Sequence, residues 1–213
     1  MRHRTVGELM TREVVRVAPQ TGFREIVALL REFDITAVPV VDADGHVVGV
    51  VSEADLMRTQ AAQEDPSALF PAPAPMAAGA STAEELMTRP AVCTAPDASV
   101  VAAARLMEHR HVKRLPVVDD EGLLVGMVSR GDLLRVFLRD DQAIRSEIVE
   151  EVLGRTEGVS PASVGVQVDQ GRVVLSGDVE PPYLGPILVR LCRAVDGVVS
   201  VTDRTKSAPA AGG

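Results

Sequence analysis

The chain twice sets a serine three residues ahead of an aspartate at the end of an apolar run: Gly49-Val50-Val51-Ser52-Glu53-Ala54-Asp55 and Gly126-Met127-Val128-Ser129-Arg130-Gly131-Asp132. A hydroxyl and a carboxylate at this spacing have two uses. As a helix start, the serine caps free amides of the first turn and the acid lies near the positive end of the helix. The same pair, beside helix-start amides, offers a carboxylate to the hydroxyls of a sugar and donors to an anion. The two uses are compatible, and a cap alone is worth around 1 kcal/mol.

Other residues with chemistry to offer are less organised. His109-Arg110-His111 invites a metal reading, but no third ligand is apparent, Cys93 is remote in sequence, and the segment falls where a helix passes into a strand. No metal site is expected. Serine, histidine and aspartate all occur, yet no strand-turn-helix nucleophile signature, Walker loop or Rossmann glycine pattern does, so the expectation is a protein that is not an enzyme. The two cysteines, Cys93 and Cys192, form no CxxC pair, and the basic N-terminus has no apolar run behind it. Together these predict a reduced, cytoplasmic protein without a signal peptide. A net charge of -8 argues against nucleic-acid binding, which needs an excess of Lys and Arg. No apolar run approaches the roughly 18–20 residues of a membrane span.

An internal repeat dictates the elements that must position these residues. Thr5-Val6-Gly7-Glu8-Leu9-Met10-Thr11 falls on Thr82-Ala83-Glu84-Glu85-Leu86-Met87-Thr88, and the offset of 77 residues then holds without a gap through Asp55 and Asp132. About 22 of roughly 54 aligned positions are identical, far above what shared composition would produce. In each copy a short extended piece, around Val14 to Val17 in the first, precedes an amphipathic helix. Phe23, Ile26, Val27, Leu30 and Phe33 form its stripe in copy one. Two β-branched runs follow, separated by the turn Asp42-Ala43-Asp44-Gly45 or Asp119-Asp120-Glu121-Gly122, and then a short helix. The predicted order is β-α-β-β-α, twice. Only 2% of the chain is aromatic, and one copy has too little core to stand alone, so the copies are expected to pair. Between them residues 61–81, rich in Ala and Pro, read as a linker.

The paired copies resemble a tandem of CBS domains, regulatory modules named after cystathionine β-synthase. The Glu-Leu-Met-Thr openings, the strands Pro39-Val40-Val41-Asp42 and Pro116-Val117-Val118-Asp119, and the two Gly-x-x-Ser-x-x-Asp endings carry the resemblance, over units at 5–60 and 82–139. It implies two units packed around a pseudo-two-fold axis, a homodimer built through them, and an adenosine-containing ligand in the clefts. The residues it assigns to that ligand are Val38, Pro39, Gly49, Val50, Ser52 and Asp55 in copy one. In copy two they are Lys113, Arg114, Leu115, Pro116, Gly126, Met127, Ser129 and Asp132. Lys113 and Arg114 stand where copy one has Thr36 and Ala37, and an arginine fork suits phosphate. Copy two also has Gly131 where copy one has Ala54, so copy two is expected to take AMP, ADP or ATP. Copy one, with Glu53, is expected to be empty or to hold adenosine, S-adenosylmethionine or another less charged ligand; NADH is a further candidate for the pair.

After residue 139 the pattern changes. Ile144, Ile148 and Val152 mark a helix, and Val164, Val166 and Val168 mark a strand that turns at Asp169-Gln170-Gly171 into a second. A proline-led helix and a last strand, Gly197 to Thr205, complete an α-β-β-α-β order. Residues 140–206 resemble the BON domain through Gly171-Arg172-Val173-Val174-Leu175-Ser176-Gly177-Asp178-Val179 and Val195-Asp196-Gly197-Val198-Val199-Ser200-Val201-Thr202-Asp203. That resemblance implies contact with a protein partner or a phospholipid surface. Residues 207–213 read as a disordered tail. The expected protein is α+β: a CBS pair plus a small α-β-β-α-β domain, sensing an adenine nucleotide and signalling through the BON-like domain. The alternative is a ligand-free CBS dimer that presents the BON-like domain to a protein or membrane surface.

Overall fold

The computed structural model describes residues 4–61 and 81–206. Nearly all of the expected linker, and the expected tail, lie outside the described residues. The chain divides into two units, Thr5–Arg130 and Gly131–Gly213 with Met1–Arg4.

In the first unit each copy opens on a short helix, α1 (Val6–Leu9) and α4 (Ala83–Leu86). An acid three residues on accepts the first main-chain N–H: Thr5 donates to Glu8 at 3.3 Å and Thr82 to Glu85 at 3.1 Å. The amphipathic helices are α2 (Phe23–Glu32) and α5 (Val100–His109). Ile26 and Leu30 are buried as their spacing predicts, but Phe33 is 50% exposed. The helix has ended there: Ile35 N–H returns to the Leu30 carbonyl at 3.0 Å, closing the end with Asp34 in the left-handed region. His111 does the same after α5, where Val112 N–H reaches the Met107 carbonyl.

The β-branched runs form two antiparallel hairpins. In copy one β1 (Ala37–Val41) pairs with β2 (Val47–Ser52), and in copy two β3 (Arg114–Val118) pairs with β4 (Leu124–Ser129). Both turns are built by an aspartate: Asp42 accepts from Asp44 and His46, and Asp119 from Glu121 and Leu123. Helices α3 (Glu53–Ala61) and α6 (Arg130–Leu134) leave the serine ends of β2 and β4.

Two strands cannot shield a core by themselves, and the copies resolve this by exchanging their openings. Thr11 of copy one bridges Met127 in β4, six residues before Val17 bridges Val40 in its own β1. Copy two mirrors the crossing, with Thr88 on Val50 and Thr94 on Val117. Ala83 and Leu86 of α4 consequently sit in copy one's core with Val17, Ile26, Leu30, Val38, Val40, Val51 and Leu56. A bridge between His46 and Leu123 joins the two hairpin turns.

The second unit has the α-β-β-α-β order expected of it. Helix α7 (Asp141–Glu147) runs into a wider π turn over Ile148–Leu153, followed by β5 (Val164–Asp169), β6 (Arg172–Asp178), α8 (Leu184–Arg193) and β7 (Ser200–Lys206). The sheet order is β5-β6-β7, antiparallel then parallel. Ile144, Ile148 and Val152 pack against Val164, Val166, Val173, Leu175, Leu188 and Cys192. Gln170 and Gly171 both have positive φ, the signature of a two-residue type I′ turn.

Candidate functional site between the repeats

A cavity of about 320 Å³ in the first unit is lined by residues of both copies. Copy one supplies Thr36, Val50 and the start of α3, from Ser52 to Asp55 with Arg58. Copy two supplies Thr88, Pro90 to Val92 and the stretch from Arg110 to Arg114. The size falls at the low end of the roughly 300–1,000 Å³ of small-molecule sites.

Asp55 is the centre of this cleft and the one charged residue in the core among the described residues, 7% exposed. One carboxylate oxygen accepts from Ser52 twice, the N–H at 2.9 Å and the Oγ–H at 2.6 Å. The other accepts from Arg58 at 2.5 Å and from Thr88 Oγ1 at 3.3 Å. The acid's part of the helix-start reading is therefore present, and the Ser52 hydroxyl serves as a donor to Asp55. The Glu53 N–H, next in the chain, is held by the Thr36 carbonyl at 3.0 Å, and Arg130 N–H is held by that of Lys113 in the same way.

The charge of the cleft opposes that of the chain. Arg58, Arg110, Lys113 and Arg114 face two carboxylates, Glu53 and Asp55, with His111 beside them, whereas the whole chain carries -8. Such a concentration of guanidinium and ammonium groups favours an anionic ligand. Arg114 also donates to the Thr36 hydroxyl, a bond that joins the copies at the floor of the site.

Of the residues singled out from sequence, Val50, Ser52, Asp55, Lys113 and Arg114 line this cavity. Lys113 and Arg114 stand with Ser52 and Asp55 of the other copy, an arrangement that the offset between repeats does not convey. Val38, Pro39, Leu115 and Pro116 are buried in β1 and β3. Gly49 and Gly126 are buried beneath methionines from the opposite copy. A Cβ at Gly49 would come 2.7 Å from Met87 Cγ, and one at Gly126 2.9 Å from Met10 Cγ. Met127 pairs with Thr11, Ser129 ends β4, and Asp132 lies in the first turn of α6.

Arg58 and Thr88 were not singled out for the ligand, and Arg110 and His111 only as part of a possible metal trio. Arg58 left a signal: it recurs as Arg135, so the repeated pattern is Ser-x-x-Asp-x-x-Arg. Thr88 reaches the site only through the crossing of the openings. His109 and His111 join no ligand cluster among the described residues; Asp42, Asp44 and His46 form one in the β1–β2 turn. There main-chain donors, His46 first, hold the Asp42 carboxyl below the usual range. Asp119 builds the matching turn with Leu123 in place of the histidine, so the geometry is that of a turn. Among the described residues no helix is long and apolar enough to cross a membrane.

The CBS domain model matches residues 6–62 and 83–139, more than half of the chain, and the BON domain model matches 140–209. An uncharacterized protein of Methanocaldococcus jannaschii is 31% identical over 153 residues, 62% of this chain and 90% of its own. Among solved structures, CBSX2 in complex with AMP is 32% identical with a TM-score of 0.52, covering 63% of this chain and 96% of that one. The CBS domain pair of protein MJ0100, in complex with 5′-methylthioadenosine and S-adenosylmethionine, is 25% identical with a TM-score of 0.53, covering 62% and 98%.

Proposed function

Because the chain belongs to the CBS-domain family, with two CBS copies followed by a BON domain, we propose that it is a regulatory protein whose inter-repeat cleft binds an adenosine nucleotide. The observation that carries this reading is the cavity itself: four cations and a buried carboxylate, from two copies, around a space of small-molecule size. Asp55 and Ser52 face the ribose hydroxyls, and Arg58, Arg110, Lys113 and Arg114 face the phosphate. That CBSX2 takes AMP in the same kind of pair supports the assignment.

Regulation follows from where the ligand sits. A molecule that touches both copies favours one packing of the pair, by no more than its difference in affinity for the two packings. The BON domain then delivers that difference to a partner, in a homodimeric cytoplasmic protein. Hydrogen exchange over residues 140–206 with and without nucleotide checks this transmission; identical exchange in both states rejects it.

The direct test is thermal unfolding of the whole chain with AMP, ADP, ATP, NADH and S-adenosylmethionine. A ligand at 100 times its Kd adds about 2.7 kcal/mol to the folded state, a clear rise in Tm. The rise should shrink in Lys113→Ala and in Arg114→Ala, neither of which touches the core. A chain that responds to none of the five fits a second reading, a ligand-free CBS pair. The full occupancy of the Asp55 carboxylate by protein donors is the observation on that side.

A further inference from the structure

The Asp55 carboxylate holds four donors, and a carboxylate offers about four lone-pair directions. A sugar hydroxyl can therefore bond Asp55 only by replacing a donor already there. Two of the four belong to Ser52, whose main chain ends β2 and lies next to Asp55. The third is Thr88, held against β2 by a pair of main-chain bonds to Val50, at 3.2 and 2.9 Å. The fourth is different. Arg58 contacts Asp55 through a side chain that is 70% exposed, against 6% for its partner, and the arginine lines the same cavity.

We propose, on the reading of this cavity as an adenosine-nucleotide cleft, that Arg58 determines which class of adenosine ligand it accepts. The guanidinium is held by Asp55 until the ligand's vicinal hydroxyls take its place, and it then passes to the ligand phosphate. A nucleoside phosphate thus exchanges one anionic partner of Arg58 for another. An uncharged nucleoside must displace the same guanidinium and returns nothing to it. A sulfonium ligand, as in S-adenosylmethionine, also brings a cation beside Arg58, Arg110, Lys113 and Arg114, with only Glu53 and Asp55 to oppose them. The cleft consequently selects phosphorylated adenosines, although its acidic residue and its serine resemble a sugar site in isolation. Copy two carries Ser129, Asp132 and Arg135 at the same spacing, so the trio belongs to the repeat and not to one helix.

The test is calorimetric titration of the full chain with AMP, adenosine, 5′-methylthioadenosine and S-adenosylmethionine, using wild type, Arg58→Ala and Arg58→Lys. Wild type should prefer AMP to the other three. Arg58→Ala should weaken AMP about tenfold or more, the scale of one hydrogen bond to a charged group, while adenosine binds as well as before or more tightly. Arg58→Lys should fall between, since it keeps the charge and loses the fork. Equal weakening of AMP and adenosine in Arg58→Ala overturns the inference, as does an unchanged AMP affinity. Wild-type binding that favours adenosine or S-adenosylmethionine over AMP overturns it while leaving the nucleotide cleft standing; binding of none of the four removes both. Arg58 is an exposed side chain, and the Tm of unliganded Arg58→Ala, compared with wild type, establishes that the variant is folded.

Discussion

Cys192 shows how one residue's setting changes its chemistry. It lies in the core of the second unit with no exposure, and burial pushes its thiol up to about 12 from an ordinary value of 9.0. The folded state then resists ionisation that the unfolded state accepts. Its contribution to stability is complete below pH 9 and lost as pH rises from there toward 12. Tm measured at pH 8 and pH 10.5 should therefore fall, and Cys192→Ala, which starts from a lower Tm, should fall by less. An equal fall in both would assign the alkaline loss to other groups. The thiol should also resist iodoacetamide in the folded protein, because the nucleophile is the thiolate. At this scale much was legible in sequence. Ser52 and Asp55 announce themselves by spacing, and the structure joins them. Arg58 was equally present in both repeats, but a surface arginine three residues past an aspartate also fits an ordinary helical ion pair, so its type carried no distinction by itself.

At the scale of elements, local chemistry explains the second unit well. The β5–β6 turn needs two residues with positive φ, and Gln170-Gly171 provide them. What holds the turn is less local: Asp141, at the start of α7, accepts the Gln170 N–H at 2.7 Å and the Gly171 N–H at 2.8 Å. Asp141→Ala should destabilise this unit by about 1.5–3 kcal/mol, the range for a hydrogen bond to a charged group, with Asp141→Asn losing less. Tyr183 is the sole tyrosine in a chain without tryptophan, so urea unfolding followed by its fluorescence reports on this unit. A midpoint unchanged in Asp141→Ala would make the contact decorative. Helix periodicity was right about Ile144, Ile148 and Val152 and wrong about Phe33. The 3.6-residue stripe runs on to Phe33, the cap at which the helix has already ended before the backbone turns left-handed at Asp34, and the stripe has no means of registering the stop.

At the scale of the molecule, the copies are separable in sequence and interleaved in space. Leu86 belongs to copy two yet is buried in the core of copy one. Leu86→Ala should cost about 2–5 kcal/mol and should speed hydrogen exchange first at Val38, Val40 and Val51. Faster exchange confined to β3 and β4 would show that the openings are not exchanged in solution. From the chain alone one could determine the duplication, the helix-hairpin-helix part of each copy though not its opening helix, the hairpin turns and the α-β-β-α-β order of the C-terminal domain. All of these rest on periodicity and turn chemistry within a few residues. The tertiary structure alone decided that Met10 and Met87 cover Gly126 and Gly49 of the opposite copies, and that Lys113 and Arg114 stand with Ser52 and Asp55. Such partnerships depend on which sheet edges remain unpaired and which apolar faces still need cover after the local elements have formed. That balance is struck among segments from 38 residues apart (Gly49 and Met87) to 116 (Met10 and Gly126), for which no local pattern provides a code.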